Sequence, residues 1–107
     1  MAEPLTMFII VRKDLIKACH ATSAALWQFK DTPQVQDYVA NLDGMHKVVL
    51  ETKNEASLRK AAEGLQAKGI DYYMWVEQPE NILTCLATAP TQRSLVSEVT
   101  KKCQLWR

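Results

Sequence analysis

Glycine occurs only three times in the 107-residue chain, and Gly44, Gly64 and Gly69 cannot assemble a G-x-G-x-x-G turn or a Walker loop. Phosphate cradles of those two kinds are therefore excluded. Histidine is scarcer still, and His20, His46 and the cysteines Cys19, Cys85 and Cys103 fall at no metal-ligand spacing and form no C-x-x-C pair. No metal or cofactor is expected. Three cysteines are an odd set, each in an apolar stretch where a free thiol behaves as a small hydrophobe, which points to a reducing, intracellular compartment. Long apolar runs are missing as well. The start Met1-Ala2-Glu3-Pro4-Leu5 carries no basic residue, and Met7–Val11 is only five residues long before Arg12 interrupts it, so neither a signal peptide nor a membrane span is expected. Charge of one sign is also lacking. A net charge of +1 and a pI near 7.7 give no global field of the sort that marks a nucleic-acid binder, so DNA is not an expected partner and any RNA contact rests on a local patch.

What is present is dense patterning. Residues 1–107 read as one small domain, large enough to bury roughly 60–70% of the surface of its unfolded chain, with residues 1–5 a flexible lead. No internal repeat, linker or low-complexity segment interrupts it. Thr6–Val11 is β-branched and short enough to be a buried strand. A helix follows from about Asp14 to Phe29, with one stripe of Leu15, Ala18, Cys19, Thr22 and Leu26 and a second of Ile16, His20, Ser23 and Trp27. Thr32-Pro33 caps and opens another helix, in which Val35, Tyr38, Val39 and Leu42 recur at helical spacing up to the stop at Gly44. Lys47–Glu51 is a second strand. Asn54 caps a third helix with Leu58, Ala61, Ala62 and Leu65 inward and Gly69 as its left-handed end. Asp71–Glu77 and Asn81–Thr88 are strands whose short link favours antiparallel pairing. Thr91 offers a cap for a last helix facing inward through Leu95, Val96, Val99 and Cys103, and Leu105-Trp106 offers either a further strand or an anchor. The order β-α-α-β-α-β-β-α gives an α/β domain, a mixed four-stranded sheet flanked by helices, with two long right-handed crossovers.

Chemistry concentrates where the first strand meets the first helix. An open α/β sheet binds ligands beyond the carboxyl ends of its parallel strands, where helix amino termini also point. Arg12, Lys13, Asp14, Lys17 and His20 all fall there. Histidine is the side chain whose ordinary charge change lies nearest neutral pH, so His20 suits a general base or a hydrogen-bond donor; the plain alternative is a helix histidine satisfied by a carbonyl or hydroxyl. Lys17 lies three residues from both Asp14 and His20, on one helix face, and suits a phosphate or an ester carbonyl with Asp14 orienting it; the alternatives are a first-turn dipole partner and a solvated lysine. Arg12 and Lys13 suit backbone phosphates, or are ordinary surface charges. Glu77 and Gln78 end the third strand, expected to lie beside the first, where they align a water or simply precede Pro79 in a turn. Ser23 with His20 makes no serine triad, because no third orienting group is evident. Trp27, Trp75 and Trp106 read as core or dimer contacts.

The words R-K-D-L over Arg12–Leu15, K-A-C-H-A over Lys17–Ala21, and Trp75-Val76-Glu77-Gln78-Pro79-Glu80-Asn81-Ile82 resemble the peptidyl-tRNA hydrolase II family, most nearly its divergent eukaryotic branch, the peptidyl-tRNA hydrolase domain-containing proteins. The resemblance runs from Phe8 to Trp106. It implies cleavage of the ester between a peptide and the ribose of tRNA by water, in the cytoplasm, by a cofactor-free homodimer. On that resemblance His20, Lys17, Glu77 and Gln78 are the catalytic candidates, and Arg12, Lys13, Asp14 and Lys47 contact the acceptor end of peptidyl-tRNA. Family members place a Gly-Lys segment and an Ala-Gln pair between the D-L turn and the histidine. Here Leu15 runs almost directly into Lys17, which stands where the glutamine usually does. The family's Asp-Gly-Thr stretch after the third strand is replaced by Glu77-Gln78-Pro79-Glu80. A binding domain that keeps the fold without the chemistry, recognising tRNA or a protein, is the alternative.

Overall fold

The computed structural model describes residues 4–12 and 15–105. In chain order the elements are β1 (Thr6–Val11), α1 (Leu15–Gln28), α2 (Pro33–Ala40), a 3₁₀ turn (Leu42–Gly44), β2 (His46–Glu51), α3 (Glu55–Ala67), β3 (Tyr72–Glu77), β4 (Ile82–Thr88), α4 (Arg93–Thr100) and β5 (Gln104–Leu105). The sheet order is β3-β4-β1-β2-β5. β1 pairs in parallel with β2 and antiparallel with β4, and β3 pairs antiparallel with β4. It follows that β1, β2 and β3 run the same way and share one carboxyl end.

β1 is central and buried along its whole length, which is why it is coded by a continuous apolar run rather than an alternation. Met7, Ile9 and Val11 face one layer with Ala18, Ala21 and Ala25 of α1 and Tyr38 of α2. Phe8 and Ile10 face the other, with Leu58, Ala61, Ala62 and Leu65 of α3 and Val96 of α4. The two layers differ in kind. Branched side chains fill the α3 side, whereas α1 presents alanines, so its axis sits close to the sheet and its polar side chains stay near the strand ends.

The caps explain where helices start. Thr32 accepts a hydrogen bond from the Val35 amide at 3.4 Å, ahead of Pro33, and Asn54 Oδ1 accepts from the Ser57 amide at 2.9 Å. Asn54→Ala is expected to cost about 1 kcal/mol of stability, read as a lower urea midpoint at constant slope. Gly69, at φ +72°, occupies the left-handed position expected of it.

Several expectations need correction. The sheet has five strands, because Gln104–Leu105 pairs with Leu50 and Glu51; of the Leu105-Trp106 tail only Leu105 is described. β3 does not lie beside β1, since β4 intervenes. α2 stops at Ala40, before its periodicity runs out, and Leu42 is exposed in the 3₁₀ turn. Thr91 is not a cap: its amide and carbonyl pair with those of Thr6, and Gln92 takes the cap position without a side-chain bond. Leu95 consequently turns outward and is exposed. In α1 the inner face is the alanine row, so Cys19 faces solvent, while Cys85 is buried and Cys103 half-buried. Leu5, placed in the flexible lead, packs against the α1 layer.

Candidate active site

β3 ends at the shared carboxyl end of the parallel strands, and α1 begins there. Because strand side chains alternate, Trp75 and Glu77 point to the same face, and it is the face that α1 covers. A β-bulge shifts the β3–β4 register between Trp75 and Val76, a device that re-aims side chains next to it. Lys17, in the first turn of α1, donates from Nζ to Glu77 Oε1 at 2.9 Å. The Trp75 indole N–H donates to Glu77 Oε2 at 3.0 Å. One turn further along α1, the exposed His20 ring stacks on the Trp75 indole, with centroids 4.9 Å apart and planes 21° from parallel. Four side chains from two elements thus form one connected group.

The electrostatics follow from those contacts. The Trp75 N–H bond and then the Lys17 bond hold the Glu77 carboxyl below its usual range, against a smaller opposing effect of desolvation, with the Lys17 and His20 charges adding to the lowering. Glu77 is therefore a carboxylate throughout the neutral range. What it contributes to stability is present above the ordinary carboxylate value, about 4, and is lost as pH falls through its lowered folded value. A carboxylate so stabilised is a poor proton acceptor but a good fixed negative charge. The group as a whole offers an ammonium, an imidazole and an anchored carboxylate on one partly exposed surface, with about a quarter of the Lys17 and Glu77 side chains accessible.

The other expected residues are distributed unevenly. Arg12 lies at the same end of the sheet, but its guanidinium donates to the Leu83 carbonyl at 2.9 Å and pairs with Glu55, the first residue of α3, at 3.6 Å. That turns it toward the α3 side. Gln78 is exposed in the turn before β4. Lys47 is not brought to the group: it pairs with Met7 near the start of β1 and lies over the Tyr38 ring at 5.5 Å, at the opposite end of the strands. Lys13 and Asp14 lie outside the described residues, so the expected Asp14–Lys17 pairing is untouched by these contacts. Trp75 packs against the α1-side core, in keeping with its expected core role, and its additional contacts with Glu77 and His20 were not among the expectations. The signal for the Glu77 contact was the spacing Trp75-x-Glu77, which on a strand puts a ring N–H beside a carboxylate. Among the described residues no cluster of three His, Cys, Asp or Glu side chains forms a metal site. A cavity of about 1000 Å³ opens on the α3 side among Lys60, Gly64, Lys68, Val99 and Cys103, and none of the expected site residues lines it. Among the described residues no helix is long and apolar enough to cross a membrane.

Comparison with known proteins gives this geometry a family. The model for the peptidyl-tRNA hydrolase PTH2 family matches residues 5–106. The chain belongs to the peptidyl-tRNA hydrolase PTH2 family. A Homo sapiens protein named "Putative peptidyl-tRNA hydrolase PTRHD1" is 40% identical over 121 residues, covering 99% of this chain and 86% of that protein. Its Mus musculus namesake is 40% identical over 116 residues, covering 96% and 83%. The human alignment is longer than this chain's 107 residues, so that relative carries residues with no counterpart here. A solved Agrobacterium tumefaciens protein of unknown function superposes with a TM-score of 0.67 at 13% identity, covering 99% of this chain and all of that one, a likeness of fold alone. Within the PTH2 family, then, this member carries Lys17, Glu77, Trp75 and His20 as a chain of contacts at the carboxyl end of its parallel strands.

Proposed function

We propose that the chain hydrolyses the ester that joins a peptide to the ribose of tRNA, with the Lys17–Glu77–Trp75–His20 group as its active site. The observation that carries this reading is an ammonium paired with an anchored carboxylate, beside an imidazole stacked on the indole that donates to that carboxylate, in a PTH2-family domain. Water attacks the ester carbonyl while the His20 imidazole takes its proton. The Lys17 ammonium, held toward the site by Glu77, stabilises the negative charge that gathers on the carbonyl oxygen. As the carbon–oxygen bond to the ribose breaks, the imidazolium returns the proton to the leaving hydroxyl, giving a free peptide carboxylate and a tRNA with its ribose hydroxyl restored. Glu77 acts by charge and position, since its lowered carboxyl is a weak base. Gln78, in the turn that follows Glu77, helps align the water, and Arg12, Lys13 and Asp14 are the candidates for holding the acceptor end. Phosphate contacts there position the RNA without reading its sequence.

The same reading makes the protein a cytoplasmic participant in translation quality control that works as a homodimer. Exposed Ile16 and Trp27 on α1 provide apolar surface for a second copy. The test is hydrolysis of a peptidyl-tRNA by the purified chain beside Lys17→Ala at matched folded concentration. Removing one charge-stabilising donor is expected to lower kcat by about a hundred- to a thousand-fold. A parent that folds cooperatively but releases no peptide would replace the hydrolase with a tRNA- or protein-binding domain.

A further inference from the structure

We propose that Trp75 is the positioning residue of this site, its indole edge fixing the plane of the Glu77 carboxylate and its indole face fixing the His20 ring. What those two groups then accomplish rests on the hydrolase reading above. The positioning itself rests on the contacts. Lys17 reaches Glu77 on a flexible four-carbon stem from another element, and a single bond to Oε1 leaves the carboxylate free to turn about its last torsion. The second bond, from Trp75 Nε1 to Oε2 at 3.0 Å, removes that freedom, and it comes from a rigid ring two residues back on the same strand. The stack on the other component, with centroids at 4.9 Å and planes 21° apart, sets the orientation of an imidazole that is otherwise exposed on α1. Tryptophan alone among the aromatics offers both a broad face and a ring-edge N–H that only donates.

The two functions of the ring separate by substitution. Trp75→Phe keeps a face for His20 and removes the donor. Trp75→Leu removes both. In Trp75→Phe, the titration of Glu77 is expected to move up toward the ordinary carboxylate value, because the indole donor that lowers it most is gone. The charged groups that face Glu77 from α1 are Lys17 and His20, β4 sets the uncharged Ile82 opposite it, and the adjoining turn adds the exposed Glu80. All of these remain in the variant. Loss of one neutral donor is expected to lower kcat about two- to ten-fold with KM little changed, and Trp75→Leu to lower it further.

The decisive measurement is an NMR titration of the Glu77 carboxyl carbon and the His20 ring protons in the parent and both variants. A raised Glu77 midpoint in Trp75→Phe, with the ring-current displacement of His20 kept there and lost in Trp75→Leu, supports the proposal. An unmoved midpoint, or unchanged kcat in Trp75→Leu at equal folded fraction, overturns it. Within the parent alone, the Trp75 indole N–H resonance is expected to shift as Glu77 titrates, and a flat signal overturns the proposal even where a variant fails to fold. Should these titrations come out as expected while the parent releases no peptide from peptidyl-tRNA, the positioning role stands and the hydrolase reading falls.

Discussion

Replacing His20 with alanine is expected to lower kcat for peptidyl-tRNA hydrolysis by about a hundred- to ten-thousand-fold, the range associated with a lost general base, and to leave KM nearly unchanged. Within the connected group, His20 is the side chain suited to accept a proton. Lys17 is a cation aimed at a carboxylate and cannot accept a proton in that form. Glu77 holds its negative charge well below the neutral range, and the bonds that lower its carboxyl weaken it as an acceptor. Only the imidazole remains, exposed on one side and supported by Trp75 on the other. Because His20 is a surface residue, the substitution is expected to leave stability within about 0.5 kcal/mol. The vacated place is open to solvent, so added imidazole is expected to restore part of the rate. Rates for His20→Ala within threefold of the parent would remove the histidine from the mechanism and leave Lys17 electrostatics as its only surviving part.

Much of the fold could be read from the chain because its local signals agree with its packing. Thr32-Pro33, Asn54 and Gly69 mark helix ends by chemistry that needs no tertiary contact, and each stands where expected. Errors came where the sheet's own demands prevailed. Thr91 has the side chain of a cap, yet its backbone is taken by Thr6, and the last helix begins later and turns Leu95 outward. The alanine row of α1 has too little hydrophobicity to outbid Leu15 and Cys19 in a stripe count, although close approach to the sheet selects small residues. Of the site, His20 and Lys17 could be placed together from their i, i+3 spacing, and Glu77 from its place at a strand end. Their contact could not be foreseen from neighbouring strands, since β4 lies between β3 and β1 and it is α1, crossing that gap, which carries Lys17 to Glu77. Lys47 illustrates the reverse: a lysine beside a parallel strand looks available until the register sets it at the wrong end.

The two faces of the sheet separate stability from activity, which a pair of core substitutions can test. Leu58 on α3 is fully buried against Phe8 and Ile10. Leu58→Ala removes branched volume from the larger core and is expected to cost about 2–5 kcal/mol, a large share of the roughly 5–15 kcal/mol that holds a domain together. It touches nothing that positions α1, so kcat per folded molecule is expected to remain that of the parent. Ala21 is equally buried on the other face, in the row that lets α1 lie close to the sheet. Ala21→Leu overfills that contact and is expected to cost less, about 1–3 kcal/mol, because the helix can shift outward to relieve it. That shift carries Lys17 and His20 away from Glu77 and Trp75, whose contacts of 2.9 Å and 4.9 Å leave little slack. Denaturant unfolding gives one ranking of the two variants, and kcat corrected for folded fraction is expected to give the opposite one. Equal kcat values for both would mean that the chemistry does not depend on the seating of α1, and the active-site assignment would fail with it.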